Sequence, residues 1–171
     1  KQALLDLMKN QPINKITVTD ICSLAEINRG TFYTYYTDPY DLMNQIENEV
    51  FAEVSNVLKK STATSTNYGI LLEIMEYISE NSTMCKVLFS VNSNKEFFRR
   101  LVNMSHDQSI AEWHAVEPQT TMDELEILYI FISNGIVGII ENWVVNETKQ
   151  SPQEIAEFII KLMSRCIKNA G

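Results

Sequence analysis

Residues 17–43, "TVTDICSLAEINRGTFYTYYTDPYDLM", decide the fold. Thr17 with Asp20 three positions on is a capping box, in which each side chain satisfies the other residue's backbone N–H; it opens a helix reaching about residue 25. Glu26 to Asn28 is a short turn. Asn28 caps the next helix, residues 29–36. Asp38 caps another, with Pro39 at the first helical position, where a missing N–H is harmless, and Asp41 three after the cap. Phe32 and Tyr36 lie four apart and face inward with Ile21 and Leu42, while Thr31, Tyr33, Thr34 and Tyr35 carry hydroxyls outward.

On the N-terminal side, Leu4, Leu5, Leu7 and Met8 keep helical spacing until Pro12 breaks it. The chain opens at Lys1 with that pattern already running, so the first helix is expected to start upstream. On the other side Leu42, Met43, Ile46, Val50, Phe51, Val54, Val57 and Leu58 hold three-four spacing almost to Lys60. "KSTATSTN", residues 60–67, is small and polar and reads as a linker. Helices follow over 68–79 and 83–91. Ser93 with Glu96 opens one running to about 113, Thr121 with Glu124 one to 147, and Ser151, Pro152 and Glu154 a last one to about 168. No strand or repeat is legible. Five glycines and four prolines in 171 residues are too few for a turn-rich β fold. The expected architecture is all-α with about nine helices: an N-terminal unit, residues 1–45, and a bundle, residues 46–171.

Several functions are disfavoured. Cys22, Cys85 and Cys166 are odd in number and form no CxxC pair, which fits reduced thiols in a cytoplasm and no structural zinc. His106 and His114, eight apart without matching carboxylate or cysteine spacing, read as surface or capping residues, so no metal site is expected. There is no Gly-rich phosphate loop, GxSxG or Cys–His arrangement, so neither an enzyme nor a cofactor is expected. Residues 127–145, "ILYIFISNGIVGIIENWVV", are long enough to cross a bilayer. They hold Ser133, Asn134, Glu141 and Asn142 and follow Asp123, Glu124 and Glu126, so a buried helix and no membrane is the reading.

Two short helices joined by a three-residue turn form the helix-turn-helix plan, whose second helix enters the DNA major groove. The particulars are Thr17-Val18, Ile21 and Ala25, then Gly30, Thr31, Phe32, Tyr33, Tyr35 and Tyr36, then Asp38 and Leu42. Over about the first fifty residues this resembles the DNA-binding signature of the TetR family of bacterial transcriptional regulators. The resemblance implies double-stranded DNA as partner. Thr31, Tyr33, Thr34 and Tyr35 would offer hydroxyls to phosphate oxygens. Arg29 would pair with a guanine edge or hold a phosphate, and Gly30 would let the backbone approach closely. Thr17 would present its hydroxyl and N–H to a phosphate at a helix end. Thr19, Thr37 and Tyr40 are further candidates; for all these side chains plain packing or helix surface is the alternative, and it prevails for Phe32 and Tyr36. Lys1, Lys9, Lys15 and Arg29 against Asp6, Asp20 and Glu26 give residues 1–37 a net +1, so the rest carries −9 of the total −8. One departure stands out: where the family usually has a phosphate-gripping lysine, this chain has Pro39.

The bundle, by the same resemblance, dimerises through its last two helices and encloses a pocket for a small-molecule effector. "YIFISNGIVGIIENWVVNETKQSPQEIAEFI", residues 129–159, is similar to the C-terminal type of regulators from low-GC Gram-positive bacteria. The residues agree with a homodimer: the helix before Val145 is apolar nearly all round, and Gly135 and Gly138 cost it stability that a close-packed partner would explain. Expected interface residues are Leu128, Ile132, Gly135, Ile139, Trp143, Ile155, Phe158, Ile159 and Leu162. Expected pocket residues are Tyr77, Met84, Phe89, Phe97, Met104, Trp113 and Tyr129, although such side chains are more often core. The functional expectation is a ligand-responsive repressor that binds a palindromic operator as a dimer; the alternative is a co-regulator acting through a protein partner.

Overall fold

The structure, a computed structural model, describes residues 1–60, 67–89, 95–146 and 149–168. Within them the chain is all-α. Its ten helices are α1 Gln2–Met8, α2 Val18–Leu24, α3 Arg29–Tyr35, α4 Pro39–Lys60, α5 Asn67–Glu80, α6 Ser82–Phe89, α7 Lys95–Asn103, α8 His106–Val116, α9 Met122–Val145 and α10 Pro152–Lys168, with a 3-10 turn at Ile13–Lys15.

The helix starts read from the sequence are satisfied by hydrogen bonds. The Asp20 carboxylate accepts the Thr17 N–H at 2.9 Å, and the Asp20 N–H donates to Thr17 Oγ1 at 3.2 Å. Thr121 with Glu124 and Ser151 with Glu154 repeat this exchange. Asn28 Oδ1 accepts the Thr31 N–H and Asp38 Oδ1 that of Asp41, both at 2.8 Å. Each such cap contributes about 1 kcal/mol.

One expected helix divides in two. The helix foreseen up to residue 113 breaks between α7 and α8, raising the count from nine to ten. The Tyr129 hydroxyl of α9 donates to the Val102 carbonyl at 2.6 Å, and Ser105 turns its N–H back to that same oxygen. A contact from 27 positions downstream thus helps end α7, which local pattern does not reveal. Residues 61–66 of the expected linker and the Ser93–Glu96 cap lie outside the described residues.

Three apolar clusters hold the fold. The first joins Leu4, Ile21, Phe32, Leu42 and Ile46 of α1–α4 with Val87 and Leu88 of α6 and Phe97 of α7. The expected boundary at residues 45/46 therefore falls inside α4, and the core continues across it. The second packs Met75, Cys85, Ile140, Trp143 and Ile159 between α5, α6, α9 and α10. The third joins Trp113 of α8 to Leu125, Tyr129 and Ile132 of α9. Burial pushes the Cys85 thiol up to about 12, leaving it unreactive. At about 1.5 Å per residue, the 22 residues of α4 span about 33 Å and tie the N-terminal unit to the bundle.

Candidate nucleic-acid interface

Helices α2 and α3 are joined by a turn closed from within. The Ile27 N–H reaches back to the Cys22 carbonyl at 3.0 Å, and Glu26 takes a left-handed conformation with φ 55°. This is the Schellman ending, which favours glycine at the left-handed position; glutamate there is strained by about 1 kcal/mol. Gly30 has a reason beyond access to DNA: a Cβ there would sit 3.1 Å from the Asn28 oxygen that caps α3.

The side chains of this unit sort by whether their donors are engaged. Tyr33 and Tyr35 are 58% and 68% exposed, Tyr40 is also exposed, and their hydroxyls have no partner among the described residues. Arg29 and Thr19 are exposed with side chains unbonded among the described residues. The threonines differ from expectation. Thr17 gives both hydroxyl and N–H to the Asp20 carboxylate, and these bonds hold that carboxyl below its usual range, the Thr17 hydroxyl contributing most. Thr31 donates to Asn28 Oδ1 at 3.2 Å, Thr34 to the Gly30 carbonyl at 2.9 Å, and Thr37 to Asp41 at 3.3 Å. Their hydroxyl protons are spent on caps and the helix's own backbone, so the tyrosines and Arg29 are the ready donors. Phe32 and Tyr36 pack inward as expected. Pro39 is buried at the start of α4.

The residues expected at the interface between copies divide between the chain's own core and its surface. Ile132, Trp143, Ile155 and Ile159 are buried in the chain's own core, and Ile139 is half-buried there. Trp143 Nε1 donates to the Gln150 carbonyl at 2.9 Å, just ahead of α10. Leu128 and Leu162 are half-buried, while Gly135 and Phe158 are exposed. The outward face instead carries Ile127, Ile130 and Phe131, exposed to 68%, 59% and 66%, with Gly138 and Val145 in line. A Cβ at Gly135 or Gly138 would meet nothing within 4 Å among the described residues, so no neighbour there accounts for either glycine. The helix is apolar on both sides, so its pattern could not tell the inner face from the outer.

Inside the bundle lies a cavity of about 280 Å³. Tyr77, Phe89, Phe97, Trp113 and Tyr129 line it as expected. Met84 and Met104 do not: Met84 packs between the first two clusters, and Met104 sits in the α7–α8 turn. Val50, Val54 and Leu58 of α4 also form its wall, as do Ser105 and Ser109 beside α7–α8. Burial raises the Tyr77 and Tyr129 hydroxyls above the usual tyrosine range. His106, read as an ordinary surface or capping residue, bridges helices: its ring nitrogens lie 2.8 Å from Asp107 Oδ1 and from Glu126 Oε2 of α9. Its ring meets Tyr129 edge-on, centroids 4.7 Å apart. Asp107 first, then Glu126, raises its pKa above the ordinary 6.5.

A helix-turn-helix whose second helix is uncovered, joined by one long helix to an α-bundle with an internal cavity, defines a class of DNA-binding regulators. Residues 65–165, more than half of the chain, match the family described as "Transcriptional regulator C-terminal region", of TetR type. The chain belongs to the TetR family of transcriptional regulators. It is similar to the HTH-type dhaKLM operon transcriptional activator DhaS of Lactococcus lactis subsp. lactis (strain IL1403), at 33% identity over 100 residues, 57% of this chain and 50% of that protein. It is also similar to the HTH-type transcriptional regulator YxbF of Bacillus subtilis (strain 168), at 23% identity over 96% of this chain and 44% of that protein. The chain thus spans about half the length of the curated relatives it matches. Among solved structures, the dihydroxyacetone kinase operon activator DhaS shares the fold at TM-score 0.67 and 23% identity, covering 98% of this chain and 93% of that one. The fatty acid degradation regulator FadR from Bacillus halodurans does so at 0.66 and 11%, covering 98% and 92%.

Proposed function

We propose that this chain is a cytoplasmic, effector-responsive repressor that binds a palindromic operator as a homodimer, with residues 1–45 reading DNA and the bundle sensing. The uncovered donors of α3, Tyr33, Tyr35 and Arg29, carry this reading: hydroxyl and guanidinium donors on a helix of groove-entering plan match phosphate oxygens and base edges. The bare outer face of α9 supports pairing of two copies, which would set two reading helices at a fixed separation. Helix α4 supports the link to the effector. Ile46 packs among the N-terminal helices, while Val54 and Leu58 of the same rod form the cavity wall. A ligand that pushes this wall would tilt α4 and favour a dimer whose heads no longer fit the operator.

The test is titration of the purified protein against inverted-repeat and scrambled duplexes over a range of salt. The reading expects a preference for one inverted repeat and an affinity that falls steeply with salt. No preference for any palindrome over scrambled DNA would refute it.

A co-regulator acting mainly through a protein partner is the second reading. It is favoured by the sparse charge at the head, where Lys15 and Arg29 have no ion pair among the described residues and Asp20, Glu26 and Asp38 are also exposed. Tight, specific DNA binding by the protein alone would dispose of it. The relative DhaS is named as an activator of its operon; reporter expression with and without this chain gives the sign of control here.

A further inference from the structure

The cavity is uneven in its chemistry. Its α4 and α7 walls are hydrocarbon and aromatic ring, Val54, Phe97 and Leu101 among them. Apart from Asn67 and Tyr77 of α5, its polar groups lie along α8 and α9. Several of these are engaged already. Tyr129 gives its proton to Val102 and lies 3.3 Å from Ser105 Oγ. Ser133 Oγ donates to the Ile130 carbonyl at 3.3 Å. Ser109 Oγ, half-buried in the wall, has no partner among the described residues.

Charge is the sharper discriminator. No lysine or arginine lines the cavity among the described residues. Among the described residues the one charged lining residue is Glu112, exposed to solvent, whose carboxylate accepts from Gln108 Nε2 at 2.8 Å. A carboxylate or phosphate ligand would lose its hydration without meeting a lysine or arginine among the described lining residues, and Glu112 would repel it. An ammonium group would find no buried counter-charge, because Glu112 stands in water. A cavity near the low end of the size range typical of small-molecule sites, about 300–1,000 Å³, suits a modest apolar body.

We infer that the cavity takes an uncharged, mainly apolar small molecule with one hydrogen-bonding end group, an alcohol or carbonyl, seated at Ser109, and that it discriminates against the matching acid. This rests on the effector reading above.

Three probes of one chain length, decanol, decanoate and decylamine, decide it on the full chain near neutral pH. Trp113 fluorescence and displacement of Nile red report occupancy. Decanol is expected to bind at least about tenfold more tightly than either charged probe. Ser109→Ala is expected to weaken decanol about fivefold while leaving Nile red binding unchanged. Ser109→Arg is expected to turn the preference towards decanoate; if that variant fails to fold, the wild-type ratios and Ser109→Ala still decide. Decanoate or decylamine binding as tightly as decanol would overturn the inference while leaving the cavity as an effector site. Failure of every probe and of Nile red to bind would overturn the effector reading, and this inference with it.

Discussion

Helix α3 and the outer face of α9 are about equally exposed and chemically opposite. Tyr33 and Tyr35 on α3 stand in water to the same degree as Ile127 and Phe131 on α9. The tyrosines end in hydroxyls that water satisfies, whereas the α9 face sets Ile127, Ile130 and Phe131 beside two glycines, with Asn134 and Glu141 as its polar members. Exposure alone therefore does not name a partner. A hydroxylated aromatic surface suits phosphate and base edges, and a row of aliphatic and phenyl groups suits another such row.

That contrast can be broken most forcefully at Phe131. Phe131→Glu is expected to leave the chain folded, since the side chain is mostly exposed, yet to weaken self-association by about 2 kcal/mol or more, near thirtyfold; sedimentation over a concentration series would show it. On the other surface, Tyr33→Phe is expected to weaken DNA binding by about 1 kcal/mol without altering self-association. Thr34→Val, by contrast, is expected to change DNA affinity little, because that hydroxyl donates to Gly30 within α3. Equal losses from the two would show that the internal bond gives way to DNA. Glu26→Gly relieves the left-handed turn and is expected to raise stability by about 0.5–1 kcal/mol in chemical denaturation. It also removes a negative charge beside α3, so DNA affinity should rise with it. Pro39→Lys restores a cation at the head of α4 and is expected to steepen the logarithmic salt dependence of DNA binding by about 0.9.

The smallest effect concerns the clip at the start of α9. The pKa of His106 is raised in the folded chain, chiefly by Asp107 and then by Glu126, with Tyr129 packed on its ring. Its stabilising contribution is therefore full below the ordinary imidazole value of 6.5 and fades as pH rises through the raised value. Denaturation midpoints measured from mildly acidic to mildly alkaline pH should fall across that window, and His106→Ala should flatten the fall.

Helix starts were legible in the sequence because a cap is local: Thr17 with Asp20, Asn28 with Thr31, Thr121 with Glu124. The α7–α8 break was not, because a tyrosine hydroxyl from another helix helps create it. The reading helix was legible down to which aromatics point inward. The state of its threonines was not, since a hydroxyl's partner depends on a rotamer that spacing leaves open. On α9 an apolar pattern on nearly all sides carried no register, and Trp143 and Ile132, expected between copies, lie in the chain's own core. The cavity was legible in five aromatic residues; its two methionine assignments failed because flexible side chains fill gaps wherever packing leaves them.

The central claim is that two copies of α3 read DNA together at a set separation. Selection of bound duplexes from a random pool by the purified protein, followed by sequencing, tests it most directly. Enrichment of an inverted repeat with constant half-site spacing, lost with Phe131→Glu, is the expected result. Recovery of single half-sites, or of no shared sequence at all, would contradict it.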